Sequence, residues 1–174
     1  MLCLILFATG AIFYLTWRTL WLRAIEPAMA VAIRGGMVLL ALSCLLGIVT
    51  SVLGELSVSE GRSSELWGKA GVLKFPHGVA LHANQMLPLL AWLARRFGMN
   101  HSILIVHSAF VAQVLFLLYA IWQTVQGRDR FDWDSIGGNI LIVVALISLY
   151  PTLALTGGIV RAWSERRSTP RILD

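Results

Sequence analysis

Five long apolar stretches, Leu2–Leu22, Ala28–Leu53, Pro76–Phe97, Ser102–Gln126 and Ile136–Trp163, are separated by short polar connections. Each reaches the roughly 20 residues that a helix needs to cross the hydrocarbon core of a bilayer. The pattern therefore predicts an all-α fold, a bundle of five transmembrane helices forming one domain over residues 1–174. The first stretch ends in Trp17, Arg18 and Trp21, which suit a headgroup belt with a snorkelling arginine. It lacks the positively charged start of a cleaved signal peptide, and its abrupt apolar beginning leaves the true start of the chain open. The long connection over residues 54–75 predicts a short interfacial helix around Trp67. The tight one around Gly98–Asn100 predicts an antiparallel pairing of the third and fourth helices, which are expected to form a polar core. Two stripes at four-residue spacing, Ser43/Gly47/Ser51 and Ser148/Thr152/Thr156, predict close helix packing, and Pro151 predicts a kink.

Charge sits between these stretches. Only 13% of residues are charged, where a soluble domain carries about twice that fraction, and the mean hydropathy is +0.76. The formal charge of +5 therefore reads as topology, and no nucleic-acid partner is expected. Assigning the connections alternately to two sides puts nine basic residues on one, among them Arg18, Arg23, Arg34, Arg95, Arg96, Arg161, Arg166, Arg167 and Arg171. Only five fall on the other, Arg62, Lys69, Lys74, Arg128 and Arg130. By the positive-inside rule the first side is cytoplasmic, with the N-terminus out and the C-terminus in, in a cell (inner) membrane. Cys3 and Cys44 lie within apolar runs without metal-site spacing, and no disulfide is predicted.

The third stretch breaks the apolar pattern. Between Phe75 and Leu93 it carries His77, His82, Asn84 and Gln85, polar groups that are costly at membrane depth and tend to face a partner, a cavity or a ligand. On a helix, His82 and Gln85 lie about 60° apart, while His77 and Asn84 lie about 20° apart on nearly the opposite side. Pro88 has no N–H, so the Asn84 carbonyl loses its helical partner and a ligand or water site at that turn is one reading. The other is that Asn84 and Gln85 bond to neighbouring helices, with His77 at the membrane interface.

The fourth stretch adds His101 near the inner interface and His107 deeper. Buried histidines in a bundle raise haem b, with two imidazoles on one iron. Folding the hairpin between residues 98 and 99 leaves His82 and His107 about eight residues out of level, roughly 12 Å along the axis. One haem between them is disfavoured, and His107 would belong to a separate inner site, level with Met37. His82 and Met86, at i and i+4, offer soft copper a weaker pair. A quinone headgroup asks for less, because His82 and Gln85 as donors beside an apolar slot would serve it. No metal can be named. No acidic residue lies well inside a stretch and no triad or HExxH motif occurs, so no catalytic residue is assigned and enzyme activity is left open.

The run HGVALHANQMLPLLAW, through Leu81, His82, Ala83, Gln85, Leu87, Pro88 and Leu89, resembles a helix of the type GLHALQVLPLLAW in a group of bacterial multi-pass membrane proteins. The segments AIRGGMVLLALSCLLG and QTVQGR are similar to flanking parts of those proteins, although Asn84 stands where the pattern has an apolar residue. That group has no assigned activity. The resemblance implies a multi-pass fold and marks His82 and Gln85 without implying a mechanism. Two functional readings follow. One is a non-catalytic structural or accessory subunit, embedded in the lipid bilayer as a homo-oligomer or with other membrane subunits. The other is a redox-associated membrane protein that binds haem b or quinone through His82 and Gln85. Packing signals outweigh chemical ones, which favours the first.

Overall fold

The computed structural model describes residues 2–22 and 26–168. Of the charges in the topology count, Arg23 and Arg171 lie outside the described residues, as does the side chain of Arg166. The chain forms α1 (Leu2–Leu20), α2 (Pro27–Ser59), β1 (Leu66–Trp67), β2 (Gly71–Val72), α3 (Lys74–Arg96), α4 (Ser102–Val125) and α5 (Ser135–Ser168). Four of these helices are long and apolar enough to cross a membrane: Cys3–Leu20, Pro27–Ser59, Ser102–Val125 and Ser135–Ser164. The protein is a multi-pass membrane protein. The expected fifth span does not qualify on the same terms, since α3 has the length, at 23 residues, but is diluted by four charged and polar clusters from Lys74 to Arg96.

The helices begin and end where local chemistry says they should. Pro27 opens α2 at a position where a missing N–H costs nothing, and the Glu26 carboxylate accepts the amides of Ala28 and Met29, both at 3.0 Å. Helices α2, α3 and α4 all end on a left-handed glycine, Gly61, Gly98 and Gly127, with φ of 72°, 61° and 65°. In each case the following amide reaches back a full turn: Arg62 to the Ser57 carbonyl (2.8 Å), Met99 to Ala94 (2.9 Å) and Arg128 to Gln123 (3.1 Å). These closures satisfy carbonyls that would otherwise be orphaned at the helix ends. The second of them makes the tight α3–α4 turn expected from Gly98.

Packing centres on α2 against α3, with α4 closing a three-helix core, while α1 leans on α2 and α5 on α4. Ala28, Ala32, Gly36, Leu39 and Ser43 of α2 are buried against a face of α3 bearing Val79, Ala80, Ala83, Leu87, Ala91 and Ala94. Small residues at three- and four-residue spacing let the two backbones approach closely. At Gly35 and Gly36 all three helices meet: an added Cβ would lie 2.8 Å from the Phe110 ring of α4 and 3.1 Å from Cα of Asn84 of α3. Helix α1 is tied on by the Thr16 hydroxyl, 3.2 Å from the Met37 carbonyl, and by Arg34, whose guanidinium reaches the Leu22 carbonyl at 2.6 Å.

Several expectations need correction. The core is shared by α2, α3 and α4, so α3 and α4 do not form a polar core by themselves, because the small-residue seam lies between α2 and α3. No interfacial helix occupies the long connection. Instead α2 runs on to Ser59, past the expected Leu53, and a two-residue antiparallel hairpin follows, Leu66 pairing with Val72 and Trp67 with Gly71. Gly54 permits this fold-back, since a Cβ there would sit 2.9 Å from the Ser64 carbonyl. The Ser148/Thr152/Thr156 stripe seats no helix: Thr152 and Thr156 are exposed, and their hydroxyls bond back to carbonyls of their own helix. Of the other stripe, Ser43 is buried and Gly47 packed, whereas Ser51 is exposed.

Candidate functional site

The polar residues of α3 divide between two surroundings. His77 and Asn84 are half-buried against α2. The His77 Nδ1 lies 2.8 Å from the Ser43 carbonyl and 3.0 Å from the Ser43 hydroxyl, which in turn donates to the His77 carbonyl at 3.0 Å. A carbonyl only accepts, so Nδ1 carries a proton. Gly47 makes room for the ring, for a Cβ there would meet it at 3.2 Å. The Asn84 amide lies over Gly36 in the same way. These two side chains are built into the α2–α3 seam.

His82 and Gln85 are on the other face, exposed, together with Leu81, Met86, Leu89 and Trp92. The one contact between them is His82 Nδ1 to Gln85 Oε1 at 3.3 Å, which leaves the imidazole Nε2 and the amide NH₂ turned outward. His107 is likewise exposed, on α4, and its Nδ1 bonds to the Ile103 carbonyl one turn earlier at 2.9 Å. Pro88 lies within α3 without ending it. Among the described residues no group of three or more His, Cys, Asp or Glu side chains gathers as a metal site. Of Met37, the carbonyl accepts from the Thr16 hydroxyl of α1.

The most elaborate polar construction lies at the hairpin end, where sequence reasoning had marked little. Gln123, fully buried, donates through Nε2 to the Tyr119 hydroxyl at 3.1 Å and to the Asp132 carbonyl. The Tyr119 hydroxyl donates onward to the Arg130 carbonyl at 2.8 Å, so the α4–α5 connection is stitched down onto α4. Asp134 completes it, accepting from the Gly137 amide (2.7 Å), the Trp122 indole (3.3 Å) and Arg128 (2.9 Å). Its partial burial works against the charged form, but these three donors outweigh that and hold the carboxyl below the usual carboxylate range. The hairpin docks on the same helix end. Ala70 donates to the Gly127 carbonyl at 3.0 Å, and Thr124 to the Val72 carbonyl at 3.2 Å. Lys74 pairs with Glu65 at 2.7 Å, and its hydrogen bond and charge lower the Glu65 pKa. Under Trp67 the hairpin roofs an apolar cavity of about 180 Å³ between α2 and α4, walled by Leu46, Leu53, Pro76 and Ile121.

No family model, curated protein or solved structure matches the chain. Function therefore has to be argued from these surfaces. The signal that could have found the hairpin-end network was present in the fourth stretch: Tyr119 and Gln123 stand at i and i+4 near its end, and Gly127 follows the stretch directly. Trp67 and Asp134 could be placed only by the contacts they make across the fold.

Proposed function

We propose that the protein is a non-catalytic subunit of a membrane assembly, and that the outward face of α3 receives a transmembrane helix of a different subunit. The observation that carries this reading is the exposure of His82 and Gln85 at the middle of α3. If α3 spans the bilayer as a fifth helix, two hydrogen-bonding side chains face hydrocarbon at mid-depth, and each uncovered polar group there is costly. A partner helix offering a hydroxyl, amide or carbonyl removes that cost, and such contacts are worth about 0.6–2 kcal/mol in membranes. A second copy fits less well, because symmetric packing of two parallel α3 helices on this face brings Arg96 of one beside Arg96 of the other. The proposed topology places the arginine-rich helix ends in the cytoplasm of a cell (inner) membrane, with the N-terminus outside.

The test is a photo-crosslinking side chain at position 82 or 85 in native membranes, with position 146 of α5 as control. Discrete protein adducts from 82 and 85, but not from 146, are expected. Adducts to lipid alone would sink the reading, and adducts at twice the chain mass would replace the partner subunit by a second copy. Haem or quinone at His82 is the competing reading, and an absorption spectrum separates the haem branch from ours: we expect no Soret band, as purified or after haem addition.

A further inference from the structure

Towards the basic end of the bundle a second crevice opens between the α3–α4 turn and the stretch of α5 from Tyr150 to Arg161, with a volume of about 290 Å³. Its walls are amphiphilic. Asn100, His101, Tyr150 and Arg161 bring hydrogen-bond donors to it, while Ile105 and Leu153 line its apolar part. Among the described residues no carboxylate lines it. The one carboxylate described at this end, Glu26, is occupied in capping α2. Helix α4 begins here without a side-chain cap, so its first amides add positive potential to the same corner. Arg95 and Arg96 stand exposed at the adjoining end of α3.

The glycine pair on α5 shapes the crevice. Gly158 takes the Met99 side chain of the turn in direct contact, which sets how closely α5 approaches. Gly157 has nothing within 4 Å of where a Cβ would stand, so its place faces open space. One glycine positions the turn, and the other leaves a volume unfilled.

We propose that this crevice binds the phosphate-bearing headgroup of an acidic phospholipid. Arg161, the cation in the wall, meets the phosphodiester, the Asn100 and His101 N–H groups meet its remaining oxygens, and an acyl chain descends along Leu153 towards Tyr150, about 16 Å deeper on α5 than Arg161. Three properties select this ligand class. The lining is cationic and donor-rich, which suits phosphate oxygens. Its mouth, at the α3–α4 turn and Arg161, lies where headgroups lie, and clefts between helices beside basic clusters hold acidic headgroups. It also carries an apolar wall, which a free phosphate would not use.

The experiment uses the full-length protein, delipidated in detergent and titrated with phosphatidylglycerol, phosphatidylcholine or inorganic phosphate, with bound lipid read by native mass spectrometry and stability by thermal melting. Phosphatidylglycerol should bind and raise the melting temperature more than phosphatidylcholine. Arg161→Gln should weaken phosphatidylglycerol binding about tenfold, as expected for a lost charge-assisted hydrogen bond. Gly157→Leu fills the open volume and favours the helix, so it should lower binding without loss of fold. Arg18→Gln removes the same charge away from the crevice and should leave binding unchanged. Equal binding of the two lipids would overturn the proposal, as would equal losses from Arg161→Gln and Arg18→Gln. Inorganic phosphate giving the whole thermal shift would overturn the lipid assignment.

Discussion

A side chain in this protein matters chiefly through what it allows another backbone to do. Gly71 shows this most sharply. A Cβ there would stand 2.5 Å from the Thr124 carbonyl oxygen and 2.8 Å from that of Trp67, both backbone atoms that cannot swing aside. Gly71→Ala should therefore lift the hairpin from α4, at a cost of about 1–3 kcal/mol as for other overpacked sites. Limited proteolysis within residues 60–73 and a red shift of Trp67 emission would report it; unchanged cleavage would show that the contact is not needed. Gln123 acts through hydrogen bonds instead. Gln123→Leu deprives the buried Tyr119 hydroxyl and the Asp132 carbonyl of a donor, and a loss of about 1–3 kcal/mol is expected in thermal or denaturant melts. His77 is a third case, a titratable group whose ring is spent on holding Ser43.

The helices differ in how they are held, and each difference has a measurable consequence. Helix α3 is bound on one face by α2 and open on the other, so Gly36→Leu should drive α2 from Asn84 and lower the melting temperature. Gly157→Leu on α5, where the space is open, should not. The α4–α5 connection depends on charge. The Asp134 carboxyl has its pKa lowered in the folded protein, so its ionised form stabilises the fold above the unfolded value of about 3.9. That contribution is lost as pH falls from there through the depressed folded value. Protease sensitivity of residues 127–134 should rise on acidification below about pH 4, and Asp134→Asn should bring it on at neutral pH and flatten the dependence. A profile identical in the two proteins would show that Asp134 does not hold this connection.

At the scale of the whole molecule, α2, α3 and α4 make the core, and α1 and α5 are flanking helices with most of their surface outward. Leu and Val on those outer surfaces are at home in lipid, so they mark no partner; the proposed partner face rests on His82 and Gln85 alone. With the photo-crosslinking side chain moved to position 89 on the same face, replacing both by leucine should leave the helix content unchanged while abolishing the crosslinks. Should the pair instead face lipid alone, the double variant would gain stability and lose nothing.

Much of this was legible in the residues. Apolar length, turn glycines and the basic imbalance are local or additive properties, so helix number, the ends of α3 and α4, and membrane class follow from the chain read in order, whereas α2 runs on past its apolar stretch to Ser59. Even the division of α3 into two polar faces needs only the 100° step of a helix. Tertiary structure alone decided which face is covered, since α2 could have packed on either. It chose the one with Ala80, Ala83 and Ala91, which lets backbones approach, and turned the bulkier His82 and Gln85 outward. The hairpin and its cavity were invisible for a related reason. Their stability comes from Gly68 and Gly71 meeting Gly127, residues far apart in sequence, and no local pattern records which distant backbone a glycine will touch.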